Sequence, residues 1–174
     1  MPHQGYSRIS TYLRGFFRTL SGPDDHPLAQ LNTLGSGPSR EEFMAASPLP
    51  ETVNHFLFQM DVKLDAILSS MQSSGMEQDF PHRMEIIAIS ASDLVFTTDM
   101  PLAPGDLLEV IITFQQPSVY TASGIGKVVK RNVDHSGKPL FAFAFTRLHE
   151  EEREKIIRYV FKEERRQLRE SRLE

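Results

Sequence analysis

Met84-Glu85-Ile86-Ile87-Ala88-Ile89-Ser90-Ala91-Ser92-Asp93-Leu94-Val95-Phe96 is the stretch on which the fold turns. Met84, Ile86 and Ala88 alternate with Glu85 and Ile87, and Leu94 and Phe96 alternate with Val95. A period of two sends successive side chains to opposite faces, which is the pattern of a strand. The same period continues downstream. Leu108, Val110, Ile112 and Phe114 form one face of a strand, while Glu109, Thr113 and Gln115 help form the other. Pro101 to Asp106 reads as a turn with Pro104-Gly105 at its tip. Val119 to Val133 is long enough for a bent strand, with Gly124 and Gly126 permitting the bend. Asp134-His135-Ser136-Gly137 then closes a hairpin into Leu140 to Phe145, where Phe141, Phe143 and Phe145 share the face opposite Ala142 and Ala144. Short strands with tight turns predict a closed or nearly closed antiparallel barrel.

Upstream of this stretch the period changes. Val53, Leu57, Met60, Leu64, Ile67 and Met71 recur at alternating spacings of four and three, the rhythm of a helix whose apolar seam faces another helix. Phe56 and Leu68 widen the seam, and Gln59, Asp61, Lys63 and Asp65 lie off it. Pro50 suits the first turn and Glu51 favours the N-terminal dipole, while Ser73-Ser74-Gly75 predicts the end. A small barrel needs no seam of this length to cover its own core. The seam therefore predicts a homo-oligomer, a tetramer in preference to a dimer. None of its six positions carries the polar residue that specifies two strands, and the widened stripe asks for more than one neighbour.

Glu150 to Ser171 reads as the last helix. Ile156, Ile157, Val160 and Phe161 form its apolar patch, with Leu168 further along. Acids cluster at its start and Arg165, Arg166, Arg169 and Arg172 toward its end, as the helix dipole prefers. Glu151 with Lys155 and Glu154 with Arg158 have the spacing of ion pairs. Its distal half is expected to be solvated or to grip a charged partner. At the other terminus, Ile9, Leu13, Phe16, Phe17 and Leu20 suggest a short helix over Tyr6 to Leu20 with Arg8, Arg14 and Arg18 as a basic flank. A docking helix or a disordered arm is the favoured reading there, ahead of a helix lying on an anionic membrane. Ser21 to Pro50 reads as a Gly/Pro/Ser-rich linker with a weak helical turn near Glu41 to Ala46. Residues before about Leu49 are expected to be dispensable for folding.

The whole is an α+β chain in four parts. A flexible region with a short helix covers 1–48 and an oligomerisation helix covers 49–76. The barrel covers 77–148, and a C-terminal helix covers 149–174. With 174 residues and a net charge of −4, bulk electrostatics favour neither nucleic acid nor a membrane surface. The absence of cysteine excludes disulfides, a thiolate nucleophile and thiolate metal sites. No apolar run approaches a membrane span and Met1 to Gly5 lacks a basic leader, so no stable membrane insertion and a cytoplasmic location are expected.

The six histidines have no metal-ligand spacing. Asp61 and Asp65, one turn apart, lack the further ligands a metal needs. Ser123-Gly124-Ile125-Gly126-Lys127 lacks the first glycine and the final Ser or Thr of a phosphate loop, and its flanks read as strand. Gly35-Ser36-Gly37 is not at a strand-to-helix elbow. No catalytic or metal constellation emerges, so no enzyme and no cofactor are expected.

From Ile86 onward the order of features resembles the PilZ domain, the β-barrel module of cyclic di-GMP signalling. The resemblance rests on the quoted stretch, Pro104-Gly105-Asp106-Leu107-Leu108, the long strand through Lys127-Val128-Val129-Lys130-Arg131, and Phe141 to Phe145 before a charged helix. Asp61-Val62-Lys63-Leu64-Asp65-Ala66-Ile67-Leu68 and the arginine-rich Phe161 to Arg172 are similar to atypical PilZ proteins, in which the added helix builds tetramers. The family holds its ligand with an upstream R-x-x-x-R and a strand motif [D/N]-x-S-x-x-G. Arginine forks hold phosphate and guanine, the strand carboxylate accepts from guanine, and the glycine admits the backbone. Here the strand motif falls on Ala88, Ser90 and Asp93, of which only the serine is kept. Between Arg40 and Ala88 the only arginine is Arg83.

The resemblance thus implies a retained barrel with a degenerate ligand site. It points to a non-enzymatic oligomeric adaptor in cyclic di-GMP-linked signalling, for motility, adhesion or related behaviour, acting on an unidentified signalling protein. The alternative is a cyclic di-GMP receptor with a rearranged site built from Arg83, Lys127, Lys130 or Arg131.

Overall fold

The computed structural model describes residues 7–29, 45–115 and 120–171. Six strands form one closed antiparallel barrel: β1 (Ile9–Thr19), β2 (His82–Ile89), β3 (Asp93–Thr97), β4 (Leu107–Phe114), β5 (Tyr120–Val133) and β6 (Pro139–Arg147). Their order around the barrel is β1-β2-β3-β6-β5-β4. Helix α1 (Glu51–Asp79) precedes β2 and helix α2 (Glu150–Glu170) follows β6. The side chains of Asp65, Leu68 and Met71, the Glu41–Met44 part of the weak turn, Gly35-Ser36-Gly37, Val119 and Arg172 lie outside the described residues.

The strands expected from the alternating stretches are present, and α1 runs past Ser73-Ser74-Gly75 to Asp79. The N-terminal helix is not. Residues 9–19 are β1, hydrogen-bonded to β2 on one side and β4 on the other. Ile9, Leu13 and Phe17 are four apart, a spacing that fits a helix and is equally a multiple of the strand period. Leu13, Gly15 and Phe17 alternate inward, while Phe16 faces outward and joins Ala29, Met76, Phe80 and Ile111 in a second small apolar cluster. The barrel therefore begins at Ile9 and not at 77, with α1 inserted between its first two strands.

The core holds Phe17, Phe96, Phe114, Phe141, Phe143, Ile86, Ile89, Leu94, Leu108 and Ile112, all fully buried. Each such side chain contributes roughly 1.5–3 kcal/mol of burial. Aromatic contacts run across the barrel, Phe17 to Phe96 at 5.9 Å and Phe96 to Phe141 at 5.6 Å between ring centroids. At Gly126 an added Cβ would lie 2.1 Å from the Ala144 carbonyl oxygen and 2.5 Å from the Phe143 ring, so the glycine is where β5 passes closest to β6. The register of that pair shifts between Ile125 and Gly126.

The first part of the expected linker is also ordered against the barrel. Glu109, buried on the outer face of β4, accepts from Arg18 Nε at 2.6 Å and from the N–H groups of Leu28 and Ala29 at 3.2 and 2.9 Å. Three charge-assisted bonds satisfy a carboxylate that would otherwise be costly to bury.

Helix α2 covers one side of the barrel through Ile156 and Val160, which enter the main core. Glu152 rather than Glu151 pairs with Lys155, at 2.7 Å, and also accepts from the Ser123 N–H at 2.7 Å, tying the helix to β5. Glu154 and Arg158 form no ion pair among the described residues. Further along, Tyr159 meets Thr11 at 2.5 Å and Gln167 donates to the Ser10 carbonyl at 2.8 Å, so α2 also runs beside β1. Tyr120 stacks on Phe114, and burial pushes its hydroxyl up to about 12 against a smaller opposite pull from Arg158.

Two predictions follow from closure. A chain starting at Pro50 lacks β1 and leaves β2 and β4 as open edges, so it loses cooperative thermal unfolding; a truncation retaining the native midpoint would contradict this topology. Tyr120 holds its proton more tightly folded than unfolded, so its contribution is complete below about pH 10 and declines as the pH rises toward about 12. Thermal midpoints across that window should fall less steeply in Tyr120→Phe than in the native chain.

Candidate functional site

The ladder aligns the motif positions with two of the cationic candidates. Ala88 pairs with Val95, Val95 with Ala142 and Ala142 with Lys130, giving one row across β2, β3, β6 and β5. One step along, Asp93 pairs with Ala144 and Ala144 with Lys127. Leu94, Phe96, Phe141 and Phe143 point into the core, so Asp93, Val95, Ala142 and Ala144 form the outer surface. Two strand spacings separate Asp93 from Lys127, roughly 10 Å. The result is a shallow outer face with a floor of small side chains. Lys127 and Lys130 stand exposed on one margin and the β2–β3 turn forms the other.

Ser90 is committed to that turn. Its Oγ accepts from the N–H groups of Ser92 at 3.2 Å and Asp93 at 3.1 Å, while its own N–H donates to the Asp93 carbonyl at 2.9 Å. This is the local geometry that a serine at the head of a tight turn favours. Asp93, where the family motif has glycine, is not left to repel an anion on its own. Arg8, immediately before β1, reaches it with Nε at 3.0 Å and Nη2 at 2.5 Å from Oδ1. The guanidinium fork that would suit a phosphate or a guanine edge is thus held by a carboxylate of the same chain.

Arg83 and Arg131 do not belong to this face. Arg83 lies five residues from Ala88 along β2, about 17 Å away, and pairs with Glu77 of α1. Arg131 pairs with Phe141, whose side chain points inward, and so falls on the opposite side of the β5–β6 ribbon from Lys130. Arg8 lies outside the Arg40–Ala88 window in which the family motif's arginines are expected. That window assumes that the barrel starts after α1, and β1 moves the relevant upstream residue to the other end of the chain. The signal available in the sequence is an arginine directly before a stretch whose apolar Ile9, Leu13 and Phe17 fit a strand as well as a helix.

The seam residues of α1 form a separate feature. Among the described residues of that helix, Asn54 and Met76 are the buried ones, Asn54 bonded to Ser47 and the Leu49 carbonyl. Val53, Phe56, Leu57, Met60, Val62, Leu64 and Ile67 are 38–62 % exposed. With 29 residues the helix is roughly 43 Å long, and Met76 with the following Phe80 docks its last turn on β1 and β4.

A cleft of about 380 Å³ lies elsewhere, between the 23–29 loop and the ends of β5 and β6. Its polar groups are already engaged: Glu109 as above, and Arg147 with the Pro23 and Asp25 carbonyls at 3.3 and 3.2 Å. Among the described residues no group of three or more histidines and carboxylates converges as metal ligands, and no helix is long and apolar enough to cross a membrane.

The PilZ domain family model matches residues 61–162, well over half of the chain. This protein belongs to the PilZ domain family. No protein of curated function matches it by sequence. Among solved structures it is similar to a tetrameric PilZ domain from Xanthomonas campestris that self-assembles through a helical bundle. That match has a TM-score of 0.55 at 17% identity and covers 95% of this chain and 92% of the other. It is also similar to the Bacillus subtilis inhibitor of motility MotI/DgrA, with a TM-score of 0.53 at 12% identity, covering 97% of this chain. The PilZ chain spans about half (53%) of that Bacillus protein. At these identities the likenesses establish the fold, including the barrel with its flanking helices.

Stability separates the two polar features of the PilZ face. Ser90→Ala removes an acceptor shared by two turn N–H groups and should cost about 1–2 kcal/mol in urea denaturation. Arg8→Ala removes a pair that is half exposed on the arginine side, so its cost should stay below about 1 kcal/mol. The reverse ranking would show that the Arg8–Asp93 pair, not the turn, organises this margin.

Proposed function

We propose that this PilZ protein is a non-enzymatic, oligomeric adaptor in cyclic di-GMP-linked signalling, acting through protein contacts in the cytoplasm on pathways such as motility or adhesion. The observation that carries the reading is the exposed apolar stripe of α1. Six large apolar side chains, Val53, Phe56, Leu57, Met60, Leu64 and Ile67, lie partly in water on one side of a projecting helix and are a strong driving force for association, since full burial of one such side chain is worth roughly 1.5–3 kcal/mol. The width of the stripe, with Phe56 beside the seam, favours a tetramer over a dimer. The helical-bundle tetramer of the Xanthomonas PilZ domain, whose structure is similar over 95% of this chain, supports the same assembly.

The nucleotide face is read as degenerate. Ala88 has no acceptor, Ser90 is occupied by the turn, and Asp93 both fills the glycine position and ties up Arg8. Loss of several charge-assisted contacts, each worth roughly 1.5–3 kcal/mol, weakens binding by orders of magnitude. The second reading, a rearranged cyclic di-GMP site, draws support from Lys127 and Lys130 standing across the same face; Arg83 and Arg131 drop out of it by position.

Light scattering on the native chain and on Leu57→Glu/Leu64→Glu tests assembly. A native tetramer that the double variant breaks into smaller species is expected, and a native monomer would refute the reading. Calorimetric titration with cyclic di-GMP tests the face. Weak or absent heat is expected, while low-micromolar affinity lost on Lys127→Ala/Lys130→Ala would establish the second reading.

A further inference from the structure

The outward side of α2 carries a charge pattern that the barrel does not use. Arg158, Lys162, Arg165 and Arg169 recur at spacings of four, three and four, with Phe161 and Leu168 beside them. At 3.6 residues per turn these six positions fall within an arc of about 120°. All six are exposed, Phe161 at 57 % and Leu168 at 54 %. The buried side of the helix is elsewhere, at Glu152, Ile156 and Val160.

Ion pairing on α2 is selective. Arg153 pairs with Glu150, Lys155 with Glu152, and Arg166 with both Glu163 and Glu170. The distal acids are turned from the outer arc: Glu163 holds Arg166 and Gln167, and Glu164 accepts from Ser7 of the segment before β1 at 2.9 Å. Among the described residues, the four arc cations form no ion pair. In a chain of net charge −4, four cations on one arc with no acid on it between Arg158 and Arg169, Glu151 and Glu154 sharing that arc only at the start of the helix, are a local arrangement and not a bulk property.

We propose that this outer face of α2 is a docking surface for an acidic helix of a partner protein. Cations repeating at alternating spacings of four and three match carboxylates with the same repeat on a helix laid alongside. Phe161 and Leu168, seven residues apart, supply two apolar contacts at the same repeat, which fixes the register of the partner. The charged stripe spans roughly 16 Å, three turns of helix. A membrane surface is a poorer fit, because two apolar side chains on a convex helix give it little to insert. The opposite face is held by Ile156, Val160 and the Tyr159–Thr11 contact, so the surface is presented rigidly. The inference goes beyond assembly through α1 and does not depend on it, since a monomer carries the same face.

The test uses the full-length chain and two labelled peptides of identical Glu/Leu/Ala composition. In one, Glu and Leu repeat at alternating spacings of three and four on a single helical face; in the other the same residues are shuffled out of register. Vesicles of phosphatidylcholine with about one-third phosphatidylserine form a third arm. The in-register peptide should bind at least about tenfold more tightly than the shuffled one, with affinity falling steeply as salt is raised. Arg165→Glu/Arg169→Glu should lose at least about tenfold of that affinity at an unchanged thermal midpoint, and Phe161→Ala severalfold. Salt dependence of the native chain decides the matter if the charge reversal perturbs folding. Equal binding of both peptides, binding of neither, or capture by vesicles without in-register peptide binding would overturn the proposal.

Discussion

The pairing of β1 with both β2 and β4 is the constraint on which the rest depends. Arg14 to Thr19 lie opposite Thr113 to Leu108 on one side, and Leu13 to Phe17 lie opposite Ile86 to His82 on the other. Without this strand the sheet has two open edges, and the Phe17–Phe96–Phe141 series loses its first member. The same strand carries Arg18 to Glu109, brings Arg8 to Asp93, and offers Ser10 and Thr11 to α2. One segment therefore closes the core, orders the following loop and defines the margin of the outer face.

Inserting α1 between β1 and β2 has an architectural consequence. A helix spliced between neighbouring strands enters and leaves at one place on the barrel, so only its end needs to touch the wall. Met76 and Phe80 make that contact with Phe16 and Ile111. The remaining length is free to carry an apolar stripe outward. The barrel and the stripe are thereby separable in physical terms, one satisfied internally and the other left exposed from Val53 to Ile67. Helix α2 differs, because Ile156 and Val160 are spent on the core and its outer arc alone faces outward.

The outer face of β3, β6 and β5 shows how side-chain identity and backbone pairing are separable in this fold. Ser90 has a structural role there, since its hydroxyl holds the β2–β3 turn. Asp93 and Ala88 are positions where the ladder imposes no side-chain requirement. Their identities can change while backbone pairing with Ala144 and Val95 persists. The pairing of Asp93 with Arg8 then compensates a charge that the turn alone would leave exposed.

Five of the six strands, both long helices and the apolar stripe were determined by the sequence itself. Each rests on a local period, two or about 3.5, which β2 follows from Met84 to Ile86 before a bulge turns Ala88 outward and Ile89 inward. The identity of residues 9–19 was not. A four-residue spacing satisfies both periods, and what decides between them is the vacant edge between β2 and β4, which exists only in three dimensions. From that one decision came Arg8 in place of Arg83 at the motif, the burial of Glu109 and the path of α2. Charge pairing was likewise decided by tertiary structure. Glu151 and Glu152, four and three residues before Lys155, are both candidates along a helix, and only the Ser123 N–H of β5 selects Glu152. Sequence periodicity specifies which face of an element is apolar, whereas partners distant in the chain are selected by closure of the barrel.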